Sequence, residues 1–336
     1  AVGQVLCHDI TQIIPGVTKD AVFRKGHIIT KEDIPVLLSV GKEHIYIWEK
    51  DEHMLHENEA AQILYEMCQN EHMHPSDVKE GKIELIADCD GLFKVDREKL
   101  RKVNSLGEMM IATRHGNTFV KKGDKLAGTR IIPLVIEKEK MERAKEICND
   151  GSILEIKPLQ PKKAAILTTG SEVYHGRIQD KFTPVLVEKL KEYGSEVIFH
   201  EIYDDDHEAI TKGCLSAIEQ GAEIVLCTGG MSVDPDDKTP LAIKNTGARI
   251  VSYGAPVLPG AMFLVSYYEY EDKTIPIVGL PGCVMYAKRT IFDLALPRLL
   301  ANDFITAEEL ALLGEGGLCL NCPVCTYPNC GFGKGW

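Results

Sequence analysis

Three short glycine-bearing stretches hold most of the chemistry this sequence offers: Thr168-Thr169-Gly170-Ser171-Glu172, Thr228-Gly229-Gly230-Met231-Ser232 and Leu280-Pro281-Gly282. Each follows an apolar run, so each is expected where a buried strand ends. Glycine lets the backbone approach a ligand closely, and successive amides there can hold a phosphate oxygen without a cationic side chain. Thr169, Gly170, Ser171, Gly229, Gly230, Ser232, Pro281 and Gly282 are therefore candidate ligand-binding residues. Glu172, Asp180, Asp234, Asp236 and Asp237 lie in or near these stretches. Carboxylates beside a phosphate make chemical sense when Mg²⁺ bridges the two. Glu172, Asp180 and Asp237 are the candidate catalytic groups, acting through that ion, and no serine, cysteine or histidine nucleophile is called for. For one loop alone, a turn with a capping aspartate is the commoner reason for such a pattern. Three such loops on one sheet point to a site.

A second concentration of chemistry lies near the end of the sequence. Cys319, Cys322, Cys325 and Cys330 are spaced C-x₂-C-x₂-C-x₄-C, with Gly331-Phe332-Gly333 following. Thiolates this close can converge on one centre, Zn²⁺ or an iron–sulfur cluster. His53, His56, His72 and His74 flank a helix and could suggest a metal site, but Glu57 and Glu59 beside them read as a solvated helix start. Cys7, Cys68, Cys89, Cys148, Cys214 and Cys227 stand in apolar context and read as core thiols.

The elements that must position these groups read as an α/β fold from about Lys162 to Leu300. Strands are expected at Ala164–Leu167, Val197–Ile202, Ile224–Cys227, Arg249–Tyr253, Phe263–Tyr268 and Ile275–Val278. Helices are expected between them, with Thr183 and Asp206 as N-caps and a last helix over Cys283–Leu300. Strand and helix alternating at this spacing predict a mostly parallel sheet covered on both faces. Residues 1–160 read as a β-rich region with helices at His56–Cys68 and Lys138–Cys148 and strands such as Val5–Ile10 and Ile45–Trp48. The proline-bearing stretch Glu155–Lys163 reads as a linker. The expected division is 1–160, 161–302 and a cysteine-rich tail over 303–336, with a short helix at Ala307–Leu313.

Composition narrows the partners. The 336 residues are 44% hydrophobic and 26% charged, with a net charge of -12. A chain this acidic repels nucleic-acid phosphates over most of its surface, so nucleic acid is not an expected partner. No run approaches the roughly 20 apolar residues of a membrane helix, and the first residues do not read as an export signal. The cytoplasm is the expected compartment, where the 11 cysteines stay reduced.

The order of Thr-Thr-Gly-Ser-Glu (168–172), Gly-x-Ile-x-Asp (176–180), Thr-Gly-Gly-Met-Ser-Val (228–233) with Asp237, Pro-Gly (259–260) and Leu-Pro-Gly (280–282) resembles the molybdopterin-binding domain. That domain is shared by molybdopterin adenylyltransferases and molybdopterin molybdotransferases. The resemblance covers about Lys162–Leu300. It implies a three-layer α/β/α fold that holds molybdopterin, or its adenylylated form, at the strand ends with Mg²⁺. The binding role would fall on Gly170, Ser171, Glu172, Asp180, Gly229, Gly230, Ser232 and Asp237. The opening Ala1-x-Gly3-x-Val5-Leu6-x-x-Asp9-Ile10 and Phe23–Gly26 through Leu37–Gly41 resemble parts of the molybdotransferases. This implies molybdotransferase-like transfer at a pterin phosphate, with molybdate as co-substrate, and a homo-oligomer that is a dimer rather than a trimer. The sequence departs from the pattern at Phe182, Asp234 and Cys283-Val284, and lacks a Ser-Ala-Met-Asp-Gly-Tyr-Ala stretch. Two other readings fit the same loops. One is a cofactor carrier or redox sensor without catalysis, and the other is a nucleotide pyrophosphatase, as in the competence-damage proteins. The extra cysteine cluster is not ordinary for the family.

Overall fold

The computed structural model describes residues 1–46, 51–232 and 234–335. Chain packing separates two units, residues 1–89, 95–114 and 122–156 in one, and residues 90–94, 115–121 and 157–336 in the other. The second unit thus takes two short segments from the first half of the sequence and everything from Lys157 onward, the cysteine-bearing tail included. Among the described residues no helix is long and apolar enough to cross a membrane.

In the first unit, β1 (Ile10–Ile14) and β2 (Thr18–Phe23) pair antiparallel, and α1 (Asp33–Ser39) follows. The expected strand at Val5–Ile10 is reduced to one isolated bridge, Val5 to Ile28. Of the strand expected at Ile45–Trp48, Ile45 and Tyr46 lie in irregular backbone, and residues 47 and 48 fall outside the described residues. β3 (Met54–His56) leads directly into α2 (Glu57–Cys68). His56 is buried because it caps that helix, its Nδ1 accepting from the Asn58 N–H while Glu59 accepts from the His56 N–H. α2 packs on an antiparallel sheet in the order β4 (Met73–Pro75), β5 (Ile83–Ala87), β9 (Lys125–Ile131), β7 (Met109–Thr113). α3 (Arg97–Asn104), β10 (Val135–Glu137), which pairs with β3, and α4 (Lys138–Ile147) complete the unit.

The second unit contains the antiparallel pair β6 (Gly91–Val95) and β8 (Thr118–Val120) and, after β11 (Leu154–Pro158), the main sheet. Its strand order is β13 (Glu196–Tyr203), β12 (Lys163–Thr169), β14 (Ile224–Thr228), β17 (Lys273–Leu280), β16 (Leu264–Tyr270), β15 (Arg249–Tyr253). The first four run parallel; β16 pairs antiparallel with β17, and β15 pairs antiparallel with β16, which returns it to the direction of the first four. Strand alternation sends Ala164, Ile166, Leu226 and Val278 to one face, where α6 (Phe182–Lys191) and α9 (Ile291–Leu300) cover them. Ala165, Leu167, Val225 and Ile277 face α7 (His207–Glu219) and α8 (Thr239–Asn245). This is the α/β class with three layers that the alternating pattern predicts.

Two helix starts differ from expectation. Asp206 caps α7, as expected. The first turn of α6 is instead capped by Asp180, which accepts from the Phe182 and Thr183 N–H groups, because Thr183 already lies inside the helix. The expected single helix over Cys283–Leu300 breaks in two. A 3₁₀ turn spans Gly282–Met285, and α9 starts afresh at Thr290 with a capping box to Asp293.

Beyond α9, α10 (Ala307–Leu312) leads into a segment seated on the core. Phe332 is buried, and the Tyr327 hydroxyl donates to the Asp293 carbonyl at 2.9 Å. Asp303, 7% exposed, accepts from Arg298 Nε at 2.7 Å, Lys157 Nζ at 2.8 Å and Lys94 Nζ at 2.9 Å. Of the cysteines read as core thiols, Cys7, Cys68, Cys214 and Cys227 are buried, whereas Cys89 and Cys148 are only half-buried.

Candidate functional site

β12, β14 and β17 are parallel neighbours, with Thr168 beside Thr228 and Thr228 beside Leu280. The loops after them therefore leave the sheet along one edge, the carboxyl-end edge where open parallel sheets bind ligands. The first two loops are drawn together tightly. Gly229 has φ +83°, and a Cβ there would stand 2.1 Å from the Thr169 carbonyl oxygen. A Cβ on Gly230 would meet the Thr239 hydroxyl at 2.8 Å. Only glycine permits both the conformation and the approach.

Thr239, fully buried in the first turn of α8, ties the arrangement. Its hydroxyl donates to the Gly229 carbonyl at 2.9 Å, so the Thr169 hydroxyl, 2.9 Å away, must be the donor in the bond between the two threonines. The Tyr253 hydroxyl braces the same loop from β15, donating to the Met231 carbonyl at 2.8 Å. Between the second and third loops lies an open pocket of about 480 Å³. Gly229, Gly230, Ser232, Asp237, Pro281 and Gly282 line it, together with Met262 and the exposed ring of Tyr286.

The sequence-predicted residues divide accordingly. Those six share the pocket, while Thr169, Gly170, Ser171, Glu172 and Asp180 do not line it. Thr169 still touches it through Gly229 and Thr239. The Ser171 N–H, expected to face a phosphate, donates to Asp205 Oδ2 at 3.0 Å. Asp180 is held by four donors: the Phe182 and Thr183 amides and the Thr168 and Thr183 hydroxyls. Burial opposes ionisation there, but these hydrogen bonds outweigh it and hold the carboxyl below its ordinary range. Asp237 accepts from the Asp234 N–H at 3.2 Å. Val233 of the second motif lies outside the described residues.

Two expected metal sites are not assembled. Among the described residues no group of three or more histidine, cysteine or acidic side chains is placed to hold an ion. Glu172, Asp180 and Asp237 are thus not gathered into one cluster, and the oxygens of Asp180 are committed to the α6 cap. The four tail thiols likewise do not converge: Cys319 and Cys330 pack against the core while Cys322 and Cys325 are exposed.

Thr239, Tyr253 and Asp205 were not singled out by the sequence reading. The Thr239-Pro240 helix start was the available signal for the first. Asp205 caps the Ser171 N–H and leaves the α7 cap to its neighbour Asp206. Burial raises the Asp205 carboxyl, and Asp204, Glu172 and Asp237 add to the rise. A raised carboxyl favours its protonated form in the folded state, so its ionisation weakens the fold as pH climbs through the carboxylate range. Asp205→Asn should therefore be at least as stable as the parent at pH 7, with the difference vanishing near pH 3. Thermal melts across that range check the sign, and a variant less stable at pH 7 would show that the Ser171 bond outweighs the repulsion.

Residues 165–301 match the family model described as "Probable molybdopterin binding domain". Residues 1–49 match a domain of unknown function. The chain is 27% identical over 135 residues to a molybdopterin adenylyltransferase from Pyrococcus furiosus, covering 40% of this chain and 76% of that one. It is 26% identical over 196 residues to a molybdopterin molybdenumtransferase from a Nostoc species, covering 56% of this chain and 44% of that one. The chain thus spans less than half of the molybdenumtransferase. A solved structure, the tungsten cofactor synthesizing protein MoaB from Pyrococcus furiosus, is 21% identical with a TM-score of 0.33, over 37% of this chain and 84% of that one. The glycine loops that form the pocket all fall within the matched 165–301 segment.

Proposed function

We propose that the molybdopterin-binding domain holds a pterin phosphate across the second and third loops and acts in molybdenum or tungsten cofactor biosynthesis, by molybdotransferase-like transfer at that phosphate. The observation that carries this reading is the convergence of Gly229, Gly230, Ser232, Asp237, Pro281 and Gly282 on one pocket at the carboxyl ends of parallel strands. The glycines expose backbone to the ligand, and the Ser232 hydroxyl and Asp237 carboxylate offer a donor and an acceptor. Met262 and Tyr286 supply flat or soft apolar surface suited to a pterin ring. Catalysis in this reading rests on positioning the phosphate, with backbone amides meeting charge that develops there. The working form is a dimer in the cytoplasm, with molybdate as co-substrate.

The test is anaerobic titration of the full chain with molybdopterin and with its adenylylated form, with Mg²⁺ present because Glu172, Asp204, Asp205 and Asp237 place negative charge around the loops. One pterin phosphate per chain is expected, bound roughly tenfold more weakly by Ser232→Ala or Asp237→Ala, the scale of one good polar contact. Molybdate-dependent release of AMP from the adenylylated pterin would mark transfer, whereas tight binding without release would mark a carrier. A chain that binds neither pterin but cleaves a nucleotide pyrophosphate would replace this reading.

A further inference from the structure

The four tail cysteines lie in a loop whose base is closed by the fold. The Gly333 N–H donates to the Gly316 carbonyl at 3.0 Å, so residues 317–332 leave and re-enter the surface at one point. Glycine is needed at this pinch: Gly316 has φ +81°, and a Cβ there would meet the Gly331 carbonyl oxygen at 3.0 Å. One limb is fixed by the Cys319 N–H donating to the Leu258 carbonyl at 2.8 Å. The other is fixed by Tyr327, whose hydroxyl bonds the Asp293 carbonyl and whose ring lies 5.0 Å beneath the Arg289 guanidinium carbon. Cys319 and Cys330 pack against the same hydrophobic cluster, one from each limb.

The span between the fixed limbs is different in kind. Residues 319–326 form neither helix nor strand, and Cys322 and Cys325 are exposed. Leu320 and Val324 are 77% and 75% exposed, and no Asp, Glu, Lys or Arg occurs from Leu318 to Gly333. An uncharged, apolar span held out in water, in a chain otherwise 26% charged, is not accounted for by solubility or by packing. Thiols as metal ligands account for it, since a bound centre supplies folding free energy to a segment too short for a core of its own.

We propose that Cys319, Cys322, Cys325 and Cys330 form a four-thiolate site for one soft metal centre, Zn²⁺ or an iron–sulfur cluster, made when the exposed span folds back onto its two held thiols. Chain length allows it. Cys322 is three residues from Cys319 and Cys325 is five from Cys330, reaches of up to about 11 Å and 18 Å, against metal–sulfur bonds of about 2.3 Å. The proposal does not rest on the pterin reading, because the loop lies outside the 165–301 segment that carries it.

The experiment uses the full chain, purified anaerobically and freed of metal by chelation. One sample is titrated with Zn²⁺ and, as a spectroscopic substitute, Co²⁺. A second is reconstituted with Fe²⁺ and sulfide. Stoichiometric Zn²⁺ with a thiolate-to-cobalt charge-transfer band, or one cluster per chain with thiolate-to-iron absorption, supports the site and says which centre it takes. The double variant Cys322→Ser/Cys325→Ser removes only exposed thiols, so it should keep the fold by circular dichroism and lose the metal. Wild-type protein that retains neither centre after gel filtration, or a folded double variant that retains as much as wild type, overturns the proposal.

Discussion

Replacing Gly229 by alanine should abolish pterin-phosphate binding and lower the stability of the second unit by about 3 kcal/mol, the scale of a strained backbone position combined with a forced shift. Two effects act together at this residue. The φ of +83° disfavours any L side chain, and the added methyl would stand 2.1 Å from the Thr169 carbonyl, inside any van der Waals contact. Relief requires the β12 and β14 loops to part, which breaks the Thr169–Thr239–Gly229 hydrogen-bond chain and reshapes the pocket wall. Gly176→Ala is the matched control. Its φ of +71° is similar but open space surrounds it, so it should cost about 1 kcal/mol and leave binding intact. Denaturant melts and anaerobic titration of both variants measure this. A Gly229→Ala chain that binds as tightly as the parent would place the ligand elsewhere.

Asp303→Asn should destabilise the protein at pH 7 by about 3 kcal/mol, the usual scale for breaking a buried ion pair from one side. Three cations converge on this carboxylate, and a neutral amide would leave Lys94 and Lys157 without their paired carboxylate and Arg298 with Glu309 alone. Burial alone would raise the Asp303 carboxyl, but Arg298 first, then Lys157 and Lys94, bring it down to about 2. A depressed carboxyl contributes stability that is present above its unfolded value near about 3.9 and is lost as pH falls through 2. Wild type should therefore lose this advantage between about pH 4 and pH 2, and the variant, lacking the group, should converge with it below that window. Equal stability of the two proteins at pH 7 would mean that desolvation of the charges cancels their attraction.

Much of the fold was legible because the apolar strands and amphipathic helices of residues 162–300 leave few alternatives. Ile224–Thr228, bounded by Gly221 and Gly229, can only be a short buried strand, and Asp206 before an apolar-periodic run caps α7 as its position demands. Local sequence was a weaker guide at α6 and α9. There the helix start depends on which carboxylate or hydroxyl reaches the free amides, and Asp180 and Thr290 win by spatial position. The β-rich first unit was less legible still, because strands such as β3 and β10 are three residues long and are specified by a partner about eighty residues away.

The sequence by itself determined that glycine loops would follow three parallel strands, because glycine, threonine and apolar runs have local conformational meanings that survive any packing. Only the tertiary structure decided which of those loops share a pocket. Asp180 and Ser171 satisfy their polar groups within the protein, through the α6 cap and Asp205, while Ser232, Asp237 and Gly282 line the open pocket. A buried hydrogen-bonding group takes whichever partner the fold brings to it, and that choice depends on contacts between residues far apart in sequence, such as Thr169 with Thr239 and Ser171 with Asp205.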